Sequence, residues 1–110
     1  MGIEIAVISR GKYGIIAASR EQIIKAVPPP VKVKSAVGAG DCAVAGLALK
    51  LTSGEPLPEA CRLATAMGTA AVLTPDTELC HRADVEKLLP RIEVREIAAP
   101  PGARMPLSRK

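Results

Sequence analysis

The chain has one tyrosine, Tyr13, and neither phenylalanine nor tryptophan. A core without large rings must be filled by Ala, Val, Ile and Leu, which favours α/β layers over aromatic-rich sandwiches. The same scarcity removes the stacking platform that single-stranded nucleic acid requires, and no zinc-finger or helix-turn-helix spacing occurs. The net charge is +4, but Arg91, Arg95, Arg104, Arg109 and Lys110 carry part of the excess near the C-terminus, where they read as a solvated tail. No nucleic acid partner is expected.

Histidine is nearly absent too. His81 has no second histidine with which to share a metal or a catalytic task, and directly after Cys80 it reads as a surface loop residue. The three cysteines, Cys42, Cys61 and Cys80, form no C-x-x-C pair, so neither a zinc knuckle nor a redox motif is expected. They read as reduced thiols filling small core spaces. The N-terminal residues lack the basic flank and apolar run of a signal peptide, no stretch approaches a membrane span, and Ala6 stands where a myristoyl signal has Ser or Thr. A cytoplasmic protein without membrane contact is expected.

What is present suits a single domain. With 110 residues, 48% of them hydrophobic, and positive mean hydropathy, the chain can bury a core. Ile3 to Ile8 and Ile15 to Ala17 read as strands around the Ser9-Arg10-Gly11-Lys12-Tyr13-Gly14 turn, and Gln22 to Val27 as a third strand halted by Pro28-Pro29-Pro30. Val31 and Val33 alternate with lysines up to Ser35, predicting a short half-exposed strand. A helix is predicted from Asp41 to about Leu51 and a second from Pro56 or Pro58 to about Leu73, with Ala60, Ala64, Gly68 and Ala71 allowing close approach on one face. A short helix from Asp84 to Leu89 ends at Pro90. Ile92, Val94 and Ile97 suit a last strand or a packed tail.

Between the prolines and the first helix lies Val37-Gly38-Ala39-Gly40-Asp41. Glycines let backbone N–H groups close around an anion, and a helix N-terminus adds partial positive charge. A carboxylate there suits a base working beside a bound phosphate rather than the anion itself. The P-loop is excluded because no G-K-[ST] follows. Gly38, Gly40 and Ala43 match the dinucleotide fingerprint in letters, but a helix rather than a strand follows the first helix, and Asp41 would sit beside a pyrophosphate. Two readings stay open on the residues alone: an ordinary structural turn, or a general base taking a proton from a hydroxyl that attacks a phosphate held by the N–H groups.

Ser35-Ala36-Val37-Gly38-Ala39-Gly40-Asp41-Cys42 resembles the C-terminal signature of the ribokinase-like (PfkB) sugar kinases. The resemblance runs from about Ile3 to Leu89 and includes Ser9-x-Gly11-x-x-Gly14, Pro28-Pro29-Pro30-Val31-Lys32 and Gly68-Thr69-Ala70-Ala71. Leu49-Lys50-Leu51 and Thr77-Glu78-Leu79-Cys80 look most similar to the minor-type 6-phosphofructokinases, with 1-phosphofructokinase nearby. The resemblance implies the C-terminal portion of a three-layer αβα sandwich. Residues 1–97 would be the ATP-binding part, and 98–110 a Pro-rich, basic, disordered tail.

It also implies roles. Asp41 would be the catalytic base, and Gly38, Ala39 and Gly40 the anion hole for the terminal phosphate of Mg-ATP. Ser9, Gly11 and Gly14 would lie against the nucleotide, and Thr65 and Thr69 would border the adenine. Ser35, Val37, Ala71, Thr74, Asp76 and Glu78 fall where some members hold a monovalent cation such as K+. The sequence departs from the pattern at Ala36, where the signature usually has Thr, at Arg10 in place of a common Leu, and at Asp76 and Glu78.

Family members carry their sugar-phosphate contacts, a lid and most of the parallel sheet before this region. The expected function is therefore ATP-dependent phosphoryl transfer to a sugar phosphate of the fructose 6-phosphate class, present here as the nucleotide-binding, base-bearing half and inactive alone. The alternative is a non-catalytic nucleotide-binding or self-associating module derived from the same fold. Uncovered strand edges predict a homo-oligomer or a partner chain.

Overall fold

The computed structural model of the chain describes residues 5–33, 39–73 and 80–97. Two turns fold its first strands back on one another. β1 (Ala6–Ser9) leads into a 3-10 turn, Gly11–Tyr13, and β2 (Ile15–Ala18) follows. Gly14 N–H donates to the Gly11 carbonyl at 3.0 Å and Arg10 N–H to the Gly14 carbonyl at 2.7 Å, which closes the turn. At the next reversal Glu21 and Gln22 N–H groups each donate to Ser19 Oγ at 3.3 Å, a serine turn that delivers the chain to β3 (Ile23–Val27).

The helices come next: α1 (Ala39–Thr52), α2 (Leu57–Val72) and α3 (Arg82–Leu88). A 3-10 turn at Leu89–Arg91 precedes β4 (Glu93–Ile97). The four strands form one antiparallel sheet in the order β1-β2-β3-β4. Both open readings of Ile92 to Ile97 are thereby decided for a strand, which pairs Val94 with Ala26 and Ile97 with Ile23. The strand predicted over Val31 and Val33 is not formed, and residues 34 and 35 lie outside the described ones. The physical reason is that β3 already has β2 and β4 on its two sides, and the three prolines before Val31 supply no N–H donors for a ladder.

The sheet buries one face at its centre. Ile15 and Ala17 of β2 and Ile24 and Ala26 of β3 are buried, and the register sets Ile15 opposite Ala26 and Ala17 opposite Ile24. Each pair matches a branched residue with an alanine, so the surface stays even enough for a helix to lie on it. That helix is α2, which contacts β2, β3 and β4 as well as α1 and α3. Its buried residues run from Leu57 through Ala71 and include Ala60, Cys61, Leu63, Ala64 and Ala66, the pattern of a helix covered on most of its circumference.

α1 reaches α2 through small residues. A β-carbon on Gly46 would stand 2.8 Å from Met67 Sδ and 3.1 Å from Ala64 Cα, and one on Gly68 would stand 3.3 Å from the Ala39 carbonyl oxygen. The small face expected on the second helix therefore does admit the first. The two edge strands escape this burial: Val7 and Ile8 of β1 are 43% and 61% exposed, and β4 is exposed apart from the half-buried Val94. Among the described residues no helix is long and apolar enough to cross a membrane.

Candidate functional site

A cleft of about 690 Å³ opens where the Ser9 to Gly14 turn, the prolines after β3, the start of α1 and one face of α2 meet. The size suits a small organic ligand. Gly14 sets one wall. Its φ of +89° is closed to side chains, and a β-carbon there would overlap the Ala26 carbonyl oxygen. The turn also stacks Arg10 over the Tyr13 ring, 5.6 Å from its centroid.

The opposite wall is the first turn of α1, where Ala39, Gly40 and Ala43 line the cleft. N–H groups in the first turn of a helix have no intrahelical acceptor, and the helix dipole adds positive character there. Among the described residues a β-carbon on Gly40 would meet nothing within 4 Å. Open space thus lies above the backbone at the point where an anion could approach it.

The floor comes from α2. Ala64, Thr65, Gly68 and Thr69 line it, with Thr65 4% and Thr69 7% exposed. Thr65 Oγ1 is fully buried and has no hydrogen-bond partner among the described residues. A hydroxyl left in that state costs about 1–3 kcal/mol, which a ligand reaching the floor with a polar atom would recover.

Ser9, Gly11, Gly14, Ala39, Gly40, Thr65 and Thr69, singled out from the sequence, are thus brought to one cleft. Asp41 is not part of its lining. It is exposed in the first turn of α1, and two residues beyond Ala39 it is turned roughly 200° about the helix axis. Gly38, Ser35, Val37, Thr74, Asp76 and Glu78 lie outside the described residues. Ala71 is buried near the end of α2. The proposed tail, 98–110, is also outside the described residues. Among the described residues no group of three or more His, Cys, Asp or Glu side chains could hold a metal ion.

The sequence reading missed part of the wall. Pro28, Pro29, Pro30, Val33 and Val72 line the cleft. The signal was a stiff proline run shortly before the glycine motif, read as the stop of a ladder and as part of the family resemblance but given no place in the site. The cysteines sit where core-filling thiols should. Cys42 and Cys61 are buried, Cys80 is partly so, and all three are free. Burial pushes the Cys61 thiol up to about 11. His81 is exposed just before α3.

Comparison with known proteins matches residues 1–84 to the pfkB family of carbohydrate kinases. The chain belongs to that family. It is 43% identical over 82 residues to the ATP-dependent 6-phosphofructokinase isozyme 2 of Escherichia coli K12, covering 74% of this chain and 26% of that protein. The isozyme of the same name from Mycobacterium tuberculosis H37Rv is 38% identical over 98 residues, 89% of this chain and 27% of the relative. The crystal structure of E. coli phosphofructokinase-2 in complex with potassium superposes with a TM-score of 0.76 at 41% identity, covering 78% of this chain and 28% of that one. The chain therefore spans about a quarter of the length of the curated relatives it matches. Its mixed α/β fold is that of the corresponding part of a pfkB kinase.

Proposed function

We propose that the chain supplies the nucleotide-binding and base-bearing part of an ATP-dependent sugar-phosphate kinase. The observation that carries this reading is the single cleft lined jointly by the Ser9 to Gly14 turn, the start of α1 and the orphaned Thr65 hydroxyl. Its largely apolar walls suit a purine, and the unpaired N–H groups at the mouth of α1 suit a polyphosphate. Membership of the pfkB family and the likeness to ATP-dependent 6-phosphofructokinases support the same reading.

In this proposal the nucleotide base lies on the Thr65 and Thr69 side, and its terminal phosphate lies against Gly38, Ala39 and Gly40. Asp41 stands outside the nucleotide cleft because its task is on the far side of the phosphate. There it takes the proton from the attacking hydroxyl of a sugar phosphate of the fructose 6-phosphate class. Backbone donors fixed at the helix start stabilise charge that builds on the transferring phosphoryl group without reorganising. Magnesium would enter with the nucleotide phosphates, since hard cations of this kind keep waters and few protein ligands. A potassium ion, as in the E. coli phosphofructokinase-2 complex, would fall to Ser35, Val37, Ala71, Thr74, Asp76 and Glu78.

In this proposal the sugar-phosphate contacts come from outside this chain, which spans about a quarter of the length of its relatives, and the chain alone does not turn over. The exposed β1 edge, with Val7 and Ile8 uncovered, is where another chain or a second copy would pair. Residues 1–97 are the working unit, in a cytoplasmic setting that keeps the three thiols reduced.

The test is phosphoryl transfer from Mg-ATP to fructose 6-phosphate, with the chain alone and then completed by the N-terminal remainder of a relative. Activity is expected only in the completed protein, and Asp41→Asn is expected to abolish it while nucleotide binding persists. Transfer by the chain alone, or transfer that survives Asp41→Asn, contradicts the proposal. The alternative, a non-catalytic nucleotide-binding or self-associating module, is favoured by the exposed β1 edge and predicts a completed protein that binds Mg-ATP without transferring phosphate.

A further inference from the structure

The polar side chains of the cleft are all of one chemical kind. Among the described lining residues, Ser9, Tyr13, Thr65 and Thr69 carry the side-chain hydrogen-bonding groups, and all four are hydroxyls. The remaining lining residues are glycine, alanine, valine, isoleucine and proline. Thr65 and Thr69 lie four residues apart on α2, so their side chains leave the same face of the helix. Both are nearly inaccessible, at 4% and 7% exposed, and the Thr65 hydroxyl has no partner among the described residues. A helical threonine has two open χ1 rotamers, so that hydroxyl can be re-aimed without moving the backbone.

Hydroxyls differ from the groups that usually read a nucleotide base. A carboxylate only accepts, whereas a hydroxyl rotates to donate or to accept as its neighbour requires. Adenine carries an amino donor at position six, and a 6-oxopurine carries a carbonyl acceptor there. Position one reverses as well, from a bare acceptor nitrogen to an N–H. A site rejects one of two such bases strongly only when a buried group matched to the first is left unpaired by the second. A hydroxyl is left unpaired by neither. The proline wall at Pro28, Pro29 and Pro30 adds no N–H donor of its own.

We propose that the cleft takes purine nucleoside triphosphates with either an amino group or a carbonyl at position six, and that Thr65 is the residue that makes the two equivalent. Its hydroxyl accepts from the 6-amino group and donates to the 6-carbonyl. This selectivity rests on the nucleotide reading of the cleft and deepens it, since the phosphoryl donor becomes a class of nucleotides rather than ATP alone. The apolar walls hold the ring faces, which the two kinds of purine share, and the start of α1 holds phosphates that are the same in both. Neither contact distinguishes the bases.

The experiment is calorimetric titration of the full chain with Mg-ATP, Mg-inosine triphosphate and Mg-tripolyphosphate. The two nucleotides are expected to bind within about fivefold of each other, and tripolyphosphate, which lacks the purine, at least about tenfold more weakly than either. Thr65→Val should weaken both nucleotides several-fold and by the same factor, because one hydroxyl serves both bases. A larger preference for either nucleotide overturns the proposal and leaves the nucleotide reading standing. So does a Thr65→Val chain in which only one nucleotide, or neither, is weakened. Tripolyphosphate binding as tightly as the nucleotides would place the base outside the cleft and overturn the proposal. Absence of binding by all three overturns both the proposal and the nucleotide reading. The wild-type ratio decides even where the valine variant does not fold.

Discussion

Gly14 presses its α-carbon against the Ala26 carbonyl across the β2–β3 edge, so closely that no β-carbon fits between them. The contact fixes the turn that forms one wall of the cleft, and the positive φ of Gly14 forbids a side chain on separate grounds. Gly14→Ala therefore combines backbone strain of about 1–3 kcal/mol with a steric clash that the strand can relieve only by moving. A loss of about 3 kcal/mol or more is expected in urea unfolding, with nucleotide binding lost alongside. Gly11→Ala, whose β-carbon meets nothing within 4 Å, should carry only the left-handed backbone cost, about 1 kcal/mol.

Two glycines at the helix seam should behave differently from each other. Replacing a mid-helix glycine with alanine gains about 1 kcal/mol of helix propensity. At Gly68 the new β-carbon would meet the Ala39 carbonyl oxygen at 3.3 Å and the Ala43 β-carbon at 3.4 Å, a contact that small movements relieve. At Gly46 it would meet Met67 Sδ at 2.8 Å and the Ala64 backbone at 3.1 and 3.2 Å. The methionine tip can turn away, but the backbone of α2 cannot. Gly68→Ala is expected to change stability by less than about 1 kcal/mol and Gly46→Ala to lose about 1–3 kcal/mol, as read by denaturant midpoints.

Thr65 sets stability against function. Its buried hydroxyl has no partner among the described residues, so Thr65→Val, nearly equal in shape, removes an unsatisfied group from the floor of the cleft. A gain of about 1–2 kcal/mol in the nucleotide-free chain is expected. A loss of stability instead would mean that the hydroxyl is satisfied in the folded chain, and the argument for a ligand atom at that point would fall.

Cys61 gives a pH dependence with a definite sign. Its folded-state thiol is raised from 9.0 to about 11 by burial. Below pH 9 both folded and unfolded chains keep the proton, and the stabilisation from burying the neutral thiol is fully present. As pH rises through 9 the unfolded chain ionises first, so stability falls until about pH 11, where the folded thiol ionises too. The total loss is about 2–3 kcal/mol. The measurement that isolates the thiol is the stability difference between wild type and Cys61→Ala at pH 8 and pH 11. That difference should shrink by this amount, and a constant difference would contradict the assignment.

The legible parts of the chain were those where one local rule acts alone. Gly11 and Gly14 announce a turn, and Ala60, Ala64 and Gly68 announce a close helix contact. β4 was left open because Glu93 to Ile97 lies on the sheet edge, exposed apart from Val94, and an edge strand has little hydrophobic alternation to read. Val31 and Val33 misled because alternation says nothing about whether a neighbouring edge is free. Tertiary context decided it when β4 took the second side of β3. At the site, the glycine motif could be read as an anion hole, but Thr65 and Thr69 were named through family resemblance alone. An orphaned hydroxyl is a property of packing, and no residue pattern carries it.

The central claim, that one cleft joins the Ser9 to Gly14 turn to the start of α1 around a nucleotide, is tested most directly by calorimetric titration of the chain with Mg-ATP. Binding with a dissociation constant below about 1 mM is expected. It should weaken at least tenfold in Gly40→Val, whose side chain enters the open space above α1, and several-fold in Thr65→Val. Absence of binding at millimolar Mg-ATP, or equal affinity in the wild type and both variants, would contradict the account.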